Sequence, residues 1–246
     1  MRLEDRFGNP LSGDDILPAL DAQGIIHISA AERTTIAKRL SSLWRTYPHP
    51  HAGDDGWTDI RADGVASKGS NAKAFTTSAL PPHTDRSLVR HPPALLCFLL
   101  VADAASGGEI TLVDTKTIYQ RFSSAELSEI YRSLWLNDSS GNAKQPLLSL
   151  HRGLLITRYR NDHIASPKAA SQSAAALLGE LERARSLAVP KRLRPGDGYL
   201  IHNYRILHGR TEFFGARRGV RFLGSVDEGS PYAFLNSGFR IHQVGR

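Results

Sequence analysis

A single cysteine, Cys97, occurs among 246 residues. One thiol closes no internal disulfide and builds no cysteine-rich zinc module, and it fits a reducing compartment. Long hydrophobic runs are missing too: the longest, Ala94 to Ala102, is far short of the roughly 20 residues that span a bilayer as a helix. The opening MRLEDRFGNP has no apolar segment of the secretory kind, so a cytoplasmic location with no membrane contact is expected. Although 31 Lys and Arg outnumber 24 Asp and Glu, giving a formal charge of +7, no four basic residues follow one another. Scattered charge of this kind reads as a solvated surface rather than a nucleic-acid groove. No Gly-x-Ser-x-Gly elbow and no phosphate-cradling glycine loop occurs, which sets aside serine hydrolases and P-loop enzymes.

What is present is ordinary globular composition, 41% apolar and 22% charged, in a length that suits one domain over 1–246. Helices are expected over Asp14 to Ala22, stopped by Gly24, and from a capping box at Ser29 and Glu32 as far as Trp44. Pro48 to Gly69 reads as loop. Strands are expected at Ile25 to Ile28, Ala74 to Leu80, Ala94 to Ala102, Glu109 to Asp114, Gly153 to Arg160, Gly198 to Leu207 and Arg217 to Val226. A second capping box, Ser123 with Glu126, opens a helix to about Leu136, and Ala169 to Ala188 is helical by composition. The pattern is α+β: a helical lead-in over about 1–70, then a β-sandwich or barrel core over about 71–226.

The chemistry-bearing residues lie in Leu80-Pro81-Pro82-His83-Thr84-Asp85 and in Leu207-His208-Gly209-Arg210-Thr211. Residues i and i+2 of an extended strand project to one face, so His83 and Asp85 offer an imidazole and a carboxylate to one ion. His208 is the best candidate for a third ligand. Two histidines and one carboxylate make the facial triad of non-haem Fe(II) oxygenases. Alone, a His-x-Asp occurs often in plain turns. The Pro48-His49-Pro50-His51 loop reads as solvated, Arg158-Tyr159-Arg160 as a sheet face, and Cys97 as an inert core residue.

Around these residues the chain resembles one known family, the taurine dioxygenase and clavaminate synthase-like Fe(II)/2-oxoglutarate oxygenases. The resembling blocks run in order from Phe75 to Asp85, His91-Pro92-Pro93-Ala94-Leu95-Leu96, Gly107-Gly108-Glu109 to Asp114, and Leu193-Arg194-Pro195-Gly196-Asp197-Gly198 through Thr211. The resemblance implies a double-stranded β-helix (jelly-roll) with His83, Asp85 and His208 on iron. It implies 2-oxoglutarate as co-substrate, O₂ as oxidant, and release of succinate and CO₂. It also implies an arginine after the distal histidine that grips the far carboxylate of 2-oxoglutarate. Among Arg217, Arg218 and Arg221, alternation puts Arg217 and Arg221 on one face. Arg221 is expected as the main clamp with Arg217 beside it, an order open to exchange; Arg218 reads as an ordinary charged turn residue. Thr111 stands one place beyond the usual hydroxyl position, held here by Ile110, and a bulge would be needed to turn it inward.

Retention of Asp85 favours hydroxylation, or a related oxidation such as desaturation, over halogenation, because family members that halogenate replace this carboxylate with Gly or Ala. The expected substrate is an amino acid or an amino-acid-derived natural-product intermediate. Glu109 and Arg217 would meet its amine and carboxylate, and His202 is a further substrate candidate. Two rivals are an oxidative nucleic-acid demethylase of the same superfamily and a catalytically inactive β-helix binding protein. The intact triad argues against the second.

Overall fold

A computed structural model of the chain describes residues 1–62 and 72–241. The elements that carry the architecture are β1 (Arg2–Glu4), α1 (Ile16–Gln23), β2 (Ile25–Ser29), α2 (Arg33–Ser41), β3 (Trp44–Thr46), β4 (Trp57–Ala62), β5 (Leu80–His83), β6 (Leu95–Ala102), β7 (Ile110–Asp114), α3 (Ser124–Ser133), α4 (Gln172–Ser186), β8 (Gly198–His202), β9 (Ile206–Arg210) and β10 (Arg217–Val226). The main sheet is antiparallel, in the order β1-β2-β8-β6-β10-β3, with β4 also on β10. A second sheet, β5-β9-β7, faces it. The fold is mixed, mostly sheet with few helices.

β6 explains why the central stretch is apolar throughout rather than alternating. Leu96, Phe98 and Leu100 point toward the second sheet with Ile110, Tyr199 and Ile201. Leu95, Cys97 and Leu99 point the other way, into the core shared with the helices. A strand covered on both faces has no polar side to show. Burial also holds the Cys97 thiol far above its ordinary pKa, which keeps it protonated and inert.

Several sequence expectations change. Gly24 ends α1 at φ 75°, its N–H reaching the Leu20 carbonyl, as a left-handed cap should. The capping box at Ser29 and Glu32 does not form. Ser29 is still in β2, and the chain turns through Ala30 at φ 49° before α2 begins at Arg33. The predicted loop from Pro48 contains β4, whose alternation is masked by Asp59 and Arg61; from residue 63 that loop lies outside the described residues. Ala74 to Leu80 is not a strand: a 3₁₀ turn ends at Phe75, and β5 starts at Leu80 and runs through two prolines. Prolines are tolerated there because β5 is an edge strand, bonded only to β9. The helix from Ser124 has its capping box but ends at Ser133, where Leu134 starts a short strand.

The difference that matters most for function is at Gly198 to Leu207. Asn203-Tyr204-Arg205 breaks this apolar run into β8 in the main sheet and β9 in the second. That turn delivers His208 to the strand opposite β5. Gly107 and Gly108 make a second tight passage, at φ 71° and 80°, just before β7. A Cβ on Gly107 would run into the Glu212 carbonyl. Gly107→Ala should therefore destabilise the chain by about 2–4 kcal/mol, combining a left-handed alanine with overpacking. A lowered urea midpoint at unchanged slope checks this.

Candidate metal centre and its cavity

His83 and His208 are directly opposite partners across the β5–β9 ladder. Such pairs hold side chains on one face within contact distance, and here the ring centroids lie 4.6 Å apart. Asp85 continues from β5 onto the same side. Its Oδ1 lies 3.5 Å from His83 Nε2 and 3.9 Å from His208 Nε2. The three donor atoms sit within 4.8 Å of one another, and all three residues are buried.

The chain around this cluster is gripped by its backbone. Asn203 accepts from the Asp85 N–H at 2.8 Å and donates to the Asp85 and Pro93 carbonyls. Thr84 donates its N–H to the Tyr159 carbonyl, and its hydroxyl accepts the Tyr159 N–H at 3.0 Å. Thr84 and Asp85 are thereby fixed through their backbone, which leaves the Asp85 carboxylate oxygens free of these bonds.

The electrostatics favour a cation. His83 Nδ1 lies 2.9 Å from the Pro81 carbonyl, which can only accept, so the proton is on Nδ1 and the Nε2 lone pair faces Asp85. Burial, with His83 close by, pushes His208 down to about 3, so His208 is a neutral imidazole at ordinary pH. Burial raises the Asp85 pKa, but the Arg221 guanidinium and the two imidazoles outweigh it and hold the carboxyl well below its usual range. Two imidazole Nε2 atoms and an anionic oxygen thus converge on one point. The donor set, two imidazoles and one carboxylate, suits Fe(II).

The cluster lines a cavity of about 290 Å³ between the two sheets. Among the described residues lining it are Arg86, Arg160, Arg210, Arg217 and Arg221, with Asp85 as the sole carboxylate. Arg217 is buried, and its Nε and Nη2 have no partner among the described residues. Its guanidinium lies over the rings of Phe98 at 5.4 Å and Phe213 at 5.9 Å. Gly108 gives it room, since a Cβ there would stand 3.2 Å from Arg217 Nε. Arg210 donates to the Thr76 and Ser78 carbonyls, leaving Nε unpaired, and burial beside Arg217 lowers it to about 10. Arg221 donates Nη1 to Asp85 Oδ2 at 2.8 Å. Arg218, on the opposite face of β10, is paired with Asp59.

Three expected residues do not reach the cavity. Ile110 takes the inward place on β7, so Glu109 and Thr111 on either side of it point away. Glu109 instead meets the Thr211 hydroxyl and Arg192. No bulge turns Thr111 inward; its register partner is Gly209, whose absent side chain leaves space for the Thr111 hydroxyl. His202 is fully buried on the outer face of β8, Nε2 donating to the Leu235 carbonyl at 2.9 Å. Conversely, His49, Arg86, Phe98, Tyr199 and Arg210 line the cavity without having been expected there. Only Arg210, two residues from His208 on one strand, carried a readable signal.

The cavity and its three buried donors, set between two antiparallel sheets, define a mononuclear metal-site protein of the 2-His-1-carboxylate class. The chain belongs to the family described as taurine catabolism dioxygenase TauD, TfdA, whose model matches residues 19–225. It is 24% identical over 223 residues to gamma-butyrobetaine dioxygenase of Homo sapiens, covering 80% of this chain and 55% of that protein. The chain thus spans about half the length of the curated relatives it matches. PvcB from Pseudomonas aeruginosa, described as an Fe, alpha-ketoglutarate dependent oxygenase from an isonitrile synthetic pathway, shares the fold at TM-score 0.61 and 18% identity, with 91% of this chain and 90% of that one aligned. Asparagine oxygenase is similar at TM-score 0.56 and 17% identity, over 85% and 76% of the two chains. Among the described residues no helix is long and apolar enough to cross a membrane.

His202 gives a test of these electrostatics away from the metal cluster. Burial pushes it down from 6.5 to about 4. Between those pH values the unfolded chain takes up a proton that the folded chain refuses, so stability falls as the pH drops through that window. In His202→Asn the stability lost between pH 7 and pH 5 should be smaller by about 1–2 kcal/mol. Urea unfolding at the two pH values measures it, and equal losses in both proteins would contradict the assignment.

Proposed function

We propose that this protein is an Fe(II)- and 2-oxoglutarate-dependent dioxygenase that hydroxylates a small acidic molecule, an amino acid or a compound derived from one. The observation that carries the reading is the meeting of His83 Nε2, His208 Nε2 and Asp85 Oδ1 beside the partnerless guanidinium of Arg217, in one cavity. The residues fit both groups: neutral nitrogens and a carboxylate for Fe(II), and a buried cation lacking a counter-ion for a dicarboxylate. The two facing sheets support a double-stranded β-helix core. The family supports the reaction class, and the amino-acid substrate follows the asparagine and butyrobetaine of the relatives' names.

His83, Asp85 and His208 would hold the iron. With 2-oxoglutarate and O₂, the iron would supply oxidative decarboxylation to succinate and CO₂, coupled to oxidation of a substrate C–H bond. The chain's own residues do the rest. Pro81 keeps the His83 proton on Nδ1, so its Nε2 stays a ligand. Arg221 occupies Asp85 Oδ2, which leaves Oδ1 as the oxygen that would be offered to the metal. Arg217 presents paired donors that can grip the far carboxylate of 2-oxoglutarate in bidentate fashion, and a guanidinium stays charged when desolvated. Phe98 and Phe213 keep water from that pair, which strengthens it. Arg217 therefore replaces Arg221 as the main clamp, exchanging the order expected from sequence, because Arg221 already has Asp85. Keeping Asp85 supports hydroxylation over halogenation.

Arg217→Ala should raise the 2-oxoglutarate concentration needed for succinate release at least tenfold, since a charged hydrogen-bonded pair contributes about 1.5–3 kcal/mol. Arg218→Ala, which loses only the partly exposed pair with Asp59, should leave it unchanged. An equal effect in both variants would contradict the clamp.

A further inference from the structure

Beyond the metal cavity, a second cavity of about 220 Å³ lies at the β2 flank of the space between the two sheets, with Ile25 of β2 and Ile206 of β9 among its walls. Ile110 lines both cavities, the one described residue to do so. It is 2% exposed, and it stands where the resembled family usually carries a hydroxyl, so the partition in this chain is apolar. One apolar cluster runs past it, with Phe98 and Tyr199 on the metal side and Ile25 and Ile206 on the other. No charged side chain belongs to that cluster. At the rim of the second cavity Arg6 pairs with Asp114, and Val189 and Lys191 are exposed, so it has its own opening to solvent. The metal cavity meets solvent on a different side, where His51 is exposed and Phe75 and Leu88 are half-buried. Co-substrate and substrate lying on that side would close it to a third molecule. O₂ is small and apolar and needs no polar path, since such gases settle in dry apolar cavities.

We propose that the second cavity is a port for O₂: the gas enters between β2 and β9 and reaches the metal ligands past the Ile110 side chain, while co-substrate and substrate hold the other entrance. Core side chains change rotamer even at close packing, and a diatomic gas needs only such a brief opening. The apolar partition turns back water and ions, so the site receives its oxidant without receiving solvent. The inference rests on the oxygenase reading above, which supplies the demand for O₂.

The first test needs no turnover. Protein holding Zn(II) in place of Fe(II), given 2-oxoglutarate and labelled at its isoleucine δ-methyl groups, is placed under O₂ pressure, and the paramagnetic relaxation of each methyl is read by NMR. Ile25, Ile110 and Ile206 should relax at least about fivefold faster than Ile16 and Ile36, which are fully buried in the core on the helix side. The second test fills the port from residues that do not line the metal cavity. Ile25→Phe and, as an independent blockage, His27→Trp should each lower kcat/KM for O₂ about fivefold. Affinity for 2-oxoglutarate, measured by calorimetry without O₂, should stay unchanged in both. The port is overturned if the three methyls relax no faster than Ile16 and Ile36, or if both variants keep the wild-type kcat/KM for O₂. It is equally overturned if both variants lose 2-oxoglutarate affinity, because the second cavity then props the co-substrate seat instead. Absence of succinate release from the wild type would overturn the oxygenase reading, and the methyl relaxation would still judge whether O₂ enters here.

Discussion

A single buried carboxylate, Asp85, balances the cavity. Burial alone would push its proton on, and the Arg221 guanidinium at 2.8 Å prevents it. An isolated charge in a protein interior is costly, and it persists only where partners and hydrogen bonds compensate. Here Arg221 compensates at Oδ2, Asn203 fixes the backbone, and two neutral imidazoles stand at Oδ1 with their lone pairs inward. The remaining arginines of the cavity face no second carboxylate among the described lining residues. Arg160 is paired with Asp162 nearby, whereas Arg217 has no carboxylate among the described residues. The ligand cluster thus suits a cation and Arg217 suits a dicarboxylate co-substrate.

The fold places these groups by strand register rather than by loops. β5 and β9 set His83 against His208, and β10 carries Arg217 and Arg221 on one face at a spacing of four residues. Two backbone devices make this possible. The Asn203–Arg205 turn moves the chain from one sheet to the other, and the Gly107-Gly108 passage opens room for the Arg217 guanidinium. Rigid strands hold such a constellation more tightly than mobile loops would, which suits a site whose donors must meet within a few ångströms.

Much of this was legible in the sequence, for physical reasons specific to each element. The His83-x-Asp85 spacing brings both side chains to one side even though β5 ends at His83, and the apolar run around Cys97 marks a strand covered on both sides. The glycine stop of α1 and the Ser123 capping box follow local backbone chemistry and appear where expected. What was hidden depended on partners far along the chain. β4 is a strand because β10 pairs with it, and its own charged residues conceal the period. Glu109, Thr111 and His202 lie near the right residues but on the wrong phase of their strands, a one-residue matter that spacing alone does not fix. His49 and Arg86 gave no signal, because their place on the cavity wall depends on how distant parts of the chain pack together.

The central claim is that the three ligands and Arg217 make one site for iron and 2-oxoglutarate. Visible absorption of the anaerobic protein, titrated with Fe(II) and then with 2-oxoglutarate, tests it most directly. The account predicts a new charge-transfer band that requires both additions and is missing in a folded His83→Ala variant. A folded wild-type protein that shows no band, or a His83→Ala variant that shows it in full, would contradict it.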